Sequence, residues 1–106
     1  MQPTLEDAAL LFSKWADERT TVRFEARLAA GFFAFDCRVV GCAKGVVGLE
    51  VSGIGNVCDL PLAECTFEYA EPRTLAEAMA GGQVFNSGLV ATRPTGERLI
   101  FLEIRA

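Results

Sequence analysis

Histidine is absent from this chain of 106 residues, and lysine stands only at positions 14 and 44. Acyl transfer by a serine or cysteine needs a base beside the nucleophile, most often an imidazole. With no histidine and no assignable lysine, that chemistry has no base here. The same absence removes every histidine-bearing metal pattern. The four cysteines, at 37, 42, 58 and 65, contain no CxxC pair, and their C-x4-C…C-x6-C spacing is not that of a zinc knuckle. Cys37 and Cys65 read instead as small apolar residues buried in strands. A basic face is lacking too: 14 acidic residues against 10 basic ones leave a net charge of −4. The densest basic stretch, Arg19, Arg23 and Arg27, is interrupted by Glu25, so general nucleic-acid binding is not expected. No apolar run is long enough to span a bilayer. The N-terminus has no charged leader region, residue 2 is Gln2, and there is no CaaX tail, so a cytoplasmic protein without a membrane anchor is expected.

What is present is enough apolar material for a core. Hydrophobic residues make up 51% of the chain, and no low-complexity stretch or linker divides it. One ordered domain over residues 1–106 follows. Residues 4–18, "TLEDAALLFSKWADE", predict an amphipathic helix with Thr4 as N-cap and Asp7 completing a capping box. Its stripe is Leu5, Ala8, Ala9, Phe12, Trp15 and Ala16, with Leu11 at the margin. From Thr20 the period changes to two. Val22, Phe24, Ala26 and Leu28 alternate with Arg23, Glu25 and Arg27. After a turn at Gly31, Phe33, Phe35, Cys37 and Val39 alternate with Asp36 and Arg38, which predicts an antiparallel hairpin. Gly41 and Gly45 are expected to break that run before a third strand, "VVGLEV", and "SGIGN" to turn the chain again.

Residues 58–72, "CDLPLAECTFEYAEP", change phase: Leu60 and Leu62 sit on even positions, Cys65, Phe67 and Tyr69 on odd ones. One straight strand cannot bury both sets. A β-bulge or short turn at "AE" would let both face one core, and Pro61, lacking an amide hydrogen, would lie at an edge or bulge. Strands that bend in this way suit a small barrel. "TLAEAMAGG" at 74–82 carries a second capping signature and predicts one or two helical turns. "GLVATRPTGERLIFLEIRA" predicts a closing hairpin over Pro94-Thr95-Gly96. Its last strand is apolar on both faces, with Ile100, Leu102 and Ile104 on one and Leu99 and Phe101 on the other, so it is either covered by the helix, whose stripe must bury itself somewhere, or exposed for a partner.

Candidate chemical motifs are sparse. Asp59 and Glu64 flank the phase change and are the nearest approach to an acidic pair. The strand carboxylates read as solvated faces. "GCAKGVVG" has glycines around Lys44 but separates two strands rather than opening a helix, as a phosphate loop would. The layout of a helix followed by "GVVGLEV…VCDLPLAECTFEY" resembles the small barrels of the Sm-like family, which implies a strongly bent barrel and ring assembly. The family's aspartate–asparagine pair has no counterpart in the turn "GCAKGVV". "RTTVR", Arg19 to Arg23, resembles the RxxxR motif of PilZ-like domains, which implies cyclic-dinucleotide binding by those two arginines. Of that family's second motif, [DN]-x-S-x-x-G, only the glycine is matched: Ala43 and Gly45, or Val40 and Cys42, stand where its polar residues would be.

The expectation is therefore an α+β, mainly β, domain: an N-terminal helix followed by a small, strongly bent antiparallel barrel of about six strands. The expected function is a non-catalytic binding or assembly module, self-associating or meeting a protein partner through Leu99 and Phe101 on the last strand. The alternative is a nucleotide sensor using Arg19 and Arg23. No catalytic residue, metal or cofactor is expected.

Overall fold

A computed structural model of the protein describes residues 2–51, 57–70 and 85–104. The predicted short helix at 74–82 and the turn at 52–56 lie outside the described residues. One helix, α1 (Leu5–Asp17), precedes seven strands: β1 (Thr21–Leu28), β2 (Gly31–Ala43), β3 (Val46–Val51), β4 (Val57–Pro61), β5 (Thr66–Ala70), β6 (Phe85–Thr92) and β7 (Arg98–Ile104). They form one antiparallel sheet in the order β4-β3-β2-β1-β7-β6-β5. No described helix is long and apolar enough to cross a membrane.

The helix begins where the capping signature places it. The Thr4 amide donates to Asp7 Oδ2 at 2.9 Å, and the Asp7 amide donates to Thr4 Oγ1 at 3.2 Å. At its end, Arg19 adopts a left-handed φ of 53°, its amide donates to Ala16 O, and the Thr20 amide donates to Trp15 O. This is the Schellman arrangement, with arginine where glycine is usual. Ala8, Phe12 and Trp15 are fully buried along the helix's apolar stripe.

The sheet is open yet strongly curled. Its outermost strands, β4 and β5, are consecutive in sequence and joined by only Leu62–Cys65. In a flat sheet six inter-strand steps would separate them by about 29 Å. The five Cα steps from Pro61 to Thr66 reach at most about 19 Å. The edges must therefore curl toward each other, although no ladder joins them. The register shows the same. Thr66, Thr92, Arg98, Arg27 and Phe32 stand opposite one another across β5, β6, β7, β1 and β2. The row that ends on Pro61 runs through Ala43 and Val46, eleven residues farther along β2. A short link can join rows so displaced only when tilted strands wind around a common interior.

The helix occupies that interior. It packs on β2 and also touches β5. Those strands are four steps apart in the order, about 19 Å in a flat sheet, more than the 10–12 Å width of a helix. One core cluster draws Phe12 and Trp15 together with Val22, Phe24, Cys37, Val47, Leu49, Leu62, Phe67, Leu89 and Phe101. Phe12 sits edge-on to Phe101 at 4.9 Å and to Trp15 at 5.8 Å between ring centroids.

Two expectations need correction, the closed barrel and the strand break at Gly41. Among the described residues there are seven strands, against about six expected, and no ladder closes the sheet between β4 and β5. Of the two alternatives for the phase change after Leu62, the structure has the turn: it is closed by the Cys65 amide on Leu62 O and carries the chain from edge strand β4 to edge strand β5. The β-bulge lies in β2 instead, between Val39 and Gly41, so the strand runs through Gly41 to Ala43. The extra residue, Val40, points to solvent, and Cys42 regains the core face opposite buried Val47. By contrast, the edge position of Pro61 and the Arg93–Glu97 hairpin turn agree with the sequence reading.

The link is anchored at Gly45. The Leu62 amide donates to Gly45 O at 2.6 Å, and a Cβ on Gly45 would lie 3.3 Å from that of Ala63. Gly45 also has φ of 75°. Gly45→Ala should therefore lower stability by about 1–2 kcal/mol from the backbone conformation alone, measured by urea unfolding. An unchanged midpoint would contradict the left-handed conformation at Gly45.

Candidate functional site

The expected interaction residues of the last strand are interior. Leu99 is 4% exposed and Phe101 0%, and both belong to the cluster that packs on α1. β7 is paired on both sides, with β1 and with β6, so it offers no edge for strand addition. An interaction surface there would require the fold to open. The reason is topological: the chain's last strand returns to pair with its first and lands in mid-sheet. The true edges are β4 and β5. Their guards are Asp59 and Pro61 on one and Glu68, exposed at mid-strand, on the other.

The two candidate arginines lie in different settings. Arg19 is exposed at the helix–strand junction in its left-handed conformation. Arg23 is on the outer face of β1, where its Nε stands 3.6 Å from Glu25 Oε2. Arg27 Nε stands 3.8 Å from the other oxygen, Oε1. Glu25, which alternation marks as an outer-face residue, is only 2% exposed. Burying a carboxylate demands countercharge, and two flanking guanidiniums supply it. Both separations exceed hydrogen-bond length, and among the described residues Glu25 Oε2 and Arg23 Nε have no hydrogen-bond partner. Sequence alternation assigned the face correctly but had no signal for Glu25's burial.

Also on the outer face, Ile100 and Leu102 are buried, with Ala70, Val90 and Ile104 packed against them. On the inner face two large apolar side chains escape burial near the β1–β2 turn: Leu28 is 39% exposed and Phe33 50%. Phe33 stacks on Phe35 at 6.1 Å with planes 10° apart and meets Phe24 at 6.2 Å.

All four cysteines are free, and all belong to the core or its margin. Cys37 donates its thiol to Val22 O at 3.4 Å. Burial first, then the charges of Asp36 and Cys58, push that thiol from 9.0 up to about 12. Burial also raises Cys42 and Cys65; for Cys65, Arg93 acts in the opposite direction and Glu64 adds to the rise. These environments favour neutral, unreactive thiols. Cys65 and Glu64 line an open cleft of about 290 Å³ with Pro61, Ala63, Arg93 and Pro94, where the edge link meets the β6–β7 turn. Glu64 and Asp59 are both exposed, and Asp59 does not line the cleft. Among the described residues no group of three or more cysteines or carboxylates could hold a metal ion.

No family model, no curated protein and no solved structure matches the chain.

The Cys37 thiol is favoured in its neutral form by the fold. Its contribution to stability is therefore complete below pH 9.0 and lost as pH rises toward about 12. Urea unfolding across that range should show a decline that Cys37→Val, which cannot ionise, makes shallower. Identical slopes for the two proteins would contradict the assignment.

Proposed function

We propose that the protein is a non-catalytic binding or assembly module, its curled sheet acting as a small barrel with one seam between β4 and β5. The observation that carries this reading is the apolar pair Leu28 and Phe33, exposed on the inner face at one end of the sheet. Phe33 is held by stacking on Phe35 rather than loose in solvent, so the surface is formed before a partner arrives. The edges are poor alternatives, since Asp59, Pro61 and Glu68 oppose strand addition. The partner is a protein surface offering an apolar side chain, a second copy of the chain included.

Light scattering at two concentrations and titration with 8-anilinonaphthalene-1-sulfonate test this. The wild type should self-associate or bind the apolar probe, and Phe33→Ser should lose that property while keeping its helix and sheet signals. A monomer at both concentrations whose probe binding equals that of Phe33→Ser overturns the reading.

The alternative, a nucleotide sensor using Arg19 and Arg23, has one specific support. Arg19 occupies a position that prefers glycine, and strained backbone of this kind often accompanies a functional side chain. Against it, the Arg23 side chain is only 31% exposed, whereas Arg19 stands apart from it at the exposed helix–strand junction. Arg19→Gly should stabilise the fold by roughly 1 kcal/mol. Calorimetry showing no cyclic dinucleotide binding to the wild type would remove this alternative.

A further inference from the structure

The outer face of the central strands carries a second feature, independent of the apolar surface. Across β5, β6, β7 and β1, Phe67, Ala91, Leu99 and Ala26 stand opposite one another and are buried in the core. The next row therefore points outward, and it consists of Thr66, Thr92, Arg98 and Arg27. Arg27 and Arg98 are direct cross-strand partners, with Cβ atoms about 4.5–5.5 Å apart on one face. Like charges so placed repel.

Only one nearby group among the described residues relieves that repulsion. Glu25, one outward position along β1, faces Arg27 through Nε, but it is shared with Arg23. Arg23, Arg27 and Arg98 against Glu25 and Asp36 leave one positive charge in excess. Asp36, the cross-strand partner of Arg23, stands at the far side of that residue from Arg98. Arg98 is exposed and has no ion pair among the described residues, and the Arg27 side chain is 45% exposed. Because Glu25 faces the Nε of Arg27, the outer Nη groups of that fork remain to donate. Beside Arg98, half-buried Thr92 adds a hydroxyl to the row.

We propose that Arg27 and Arg98, with Thr92, form a binding site for a phosphate dianion, as carried by free phosphate or a phosphomonoester. A phosphomonoester carries about −1.5 to −2 charges at pH 7 and so matches two guanidiniums, whereas each phosphodiester carries one. The site is a single point rather than a track, and the net charge of −4 opposes a long polyanion. A nucleic-acid backbone is thus the weaker ligand.

The test is a titration of the full chain with inorganic phosphate, glycerol 3-phosphate and an oligothymidylate lacking terminal phosphates, followed by shifts of arginine Nε–H and backbone resonances. Phosphate and glycerol 3-phosphate should bind saturably at millimolar concentration, shifting Arg27 and Arg98. Glycerol 3-phosphate tighter than phosphate would assign the site to an ester, and equal affinities to the free ion. Binding should weaken as pH falls through about 6, where the dianion gains a proton. Arg98→Ala should weaken it at least tenfold yet leave thermal stability equal or higher, because a like charge has gone. Arg38→Ala, whose side chain stands opposite Glu50 on β3, should leave binding unchanged. No saturable shift at about 20 mM phosphate, a weak affinity by any standard, overturns the proposal. So does an equal loss in Arg38→Ala, or tighter binding of the oligothymidylate than of glycerol 3-phosphate.

Discussion

Four residues, Leu62–Cys65, tie together the two outermost strands of a seven-stranded sheet, and most of the architecture follows from that tether. A sheet of this width cannot remain flat when its edges are so closely joined. Curling creates a concave face too deep for strand side chains alone to fill, and the apolar stripe of α1 fills it. Phe12 meets Phe101 from the middle of the sheet, and the same cluster reaches Leu62 in the link and Phe67 on the far edge. Hydrophobic burial and the tether therefore act together: the link holds the curl, and the helix makes the curl favourable.

The curl also determines which surfaces remain for function. Inner-face positions are buried wherever the helix and the facing strands cover them, so Leu99 and Phe101 are lost to the core. Leu28 and Phe33, beside the β1–β2 turn, are only partly covered. The outer face presents the alternate set, and there the pairing of β1 with β7 sets Arg27 against Arg98. The edges left open by the missing β4–β5 ladder carry a proline and acidic residues, which suits a module that docks through side chains rather than by adding strands.

Much of this was legible in the sequence because it is local. The capping box at Thr4 and Asp7, the two-residue alternation of β1 and β2, and the turn at Pro94-Thr95-Gly96 each involve residues close in the chain. The phase change after Leu62 was legible as well, but its cause was not: a bulge and a turn shift the pattern equally, and only long-range pairing distinguishes them. The bulge at Val40 left a weaker trace, because Gly41 beside it looked like a strand end. The two apolar faces of β7 were legible, but not which neighbours cover them: a final strand suggests an edge, whereas β7 pairs with both β1 and β6 and places Leu99 and Phe101 in the core. For the same reason alternation could place Arg23 and Arg27 outward but could not reveal Arg98 beside them. Nor could it show that Glu25 is buried.

The most direct test of the account is equilibrium unfolding of Phe12→Ala, followed by both Trp15 fluorescence and far-ultraviolet circular dichroism. If the helix fills the curl, the substitution should cost about 3–5 kcal/mol, as for a phenylalanine lost from a close-packed core. Trp15 fluorescence and the sheet signal should then be lost in one shared transition. A cost below about 1 kcal/mol, the range of ordinary surface substitutions, would contradict the claim that the sheet is organised around this helix. So would a Trp15 transition well separated from that of the sheet.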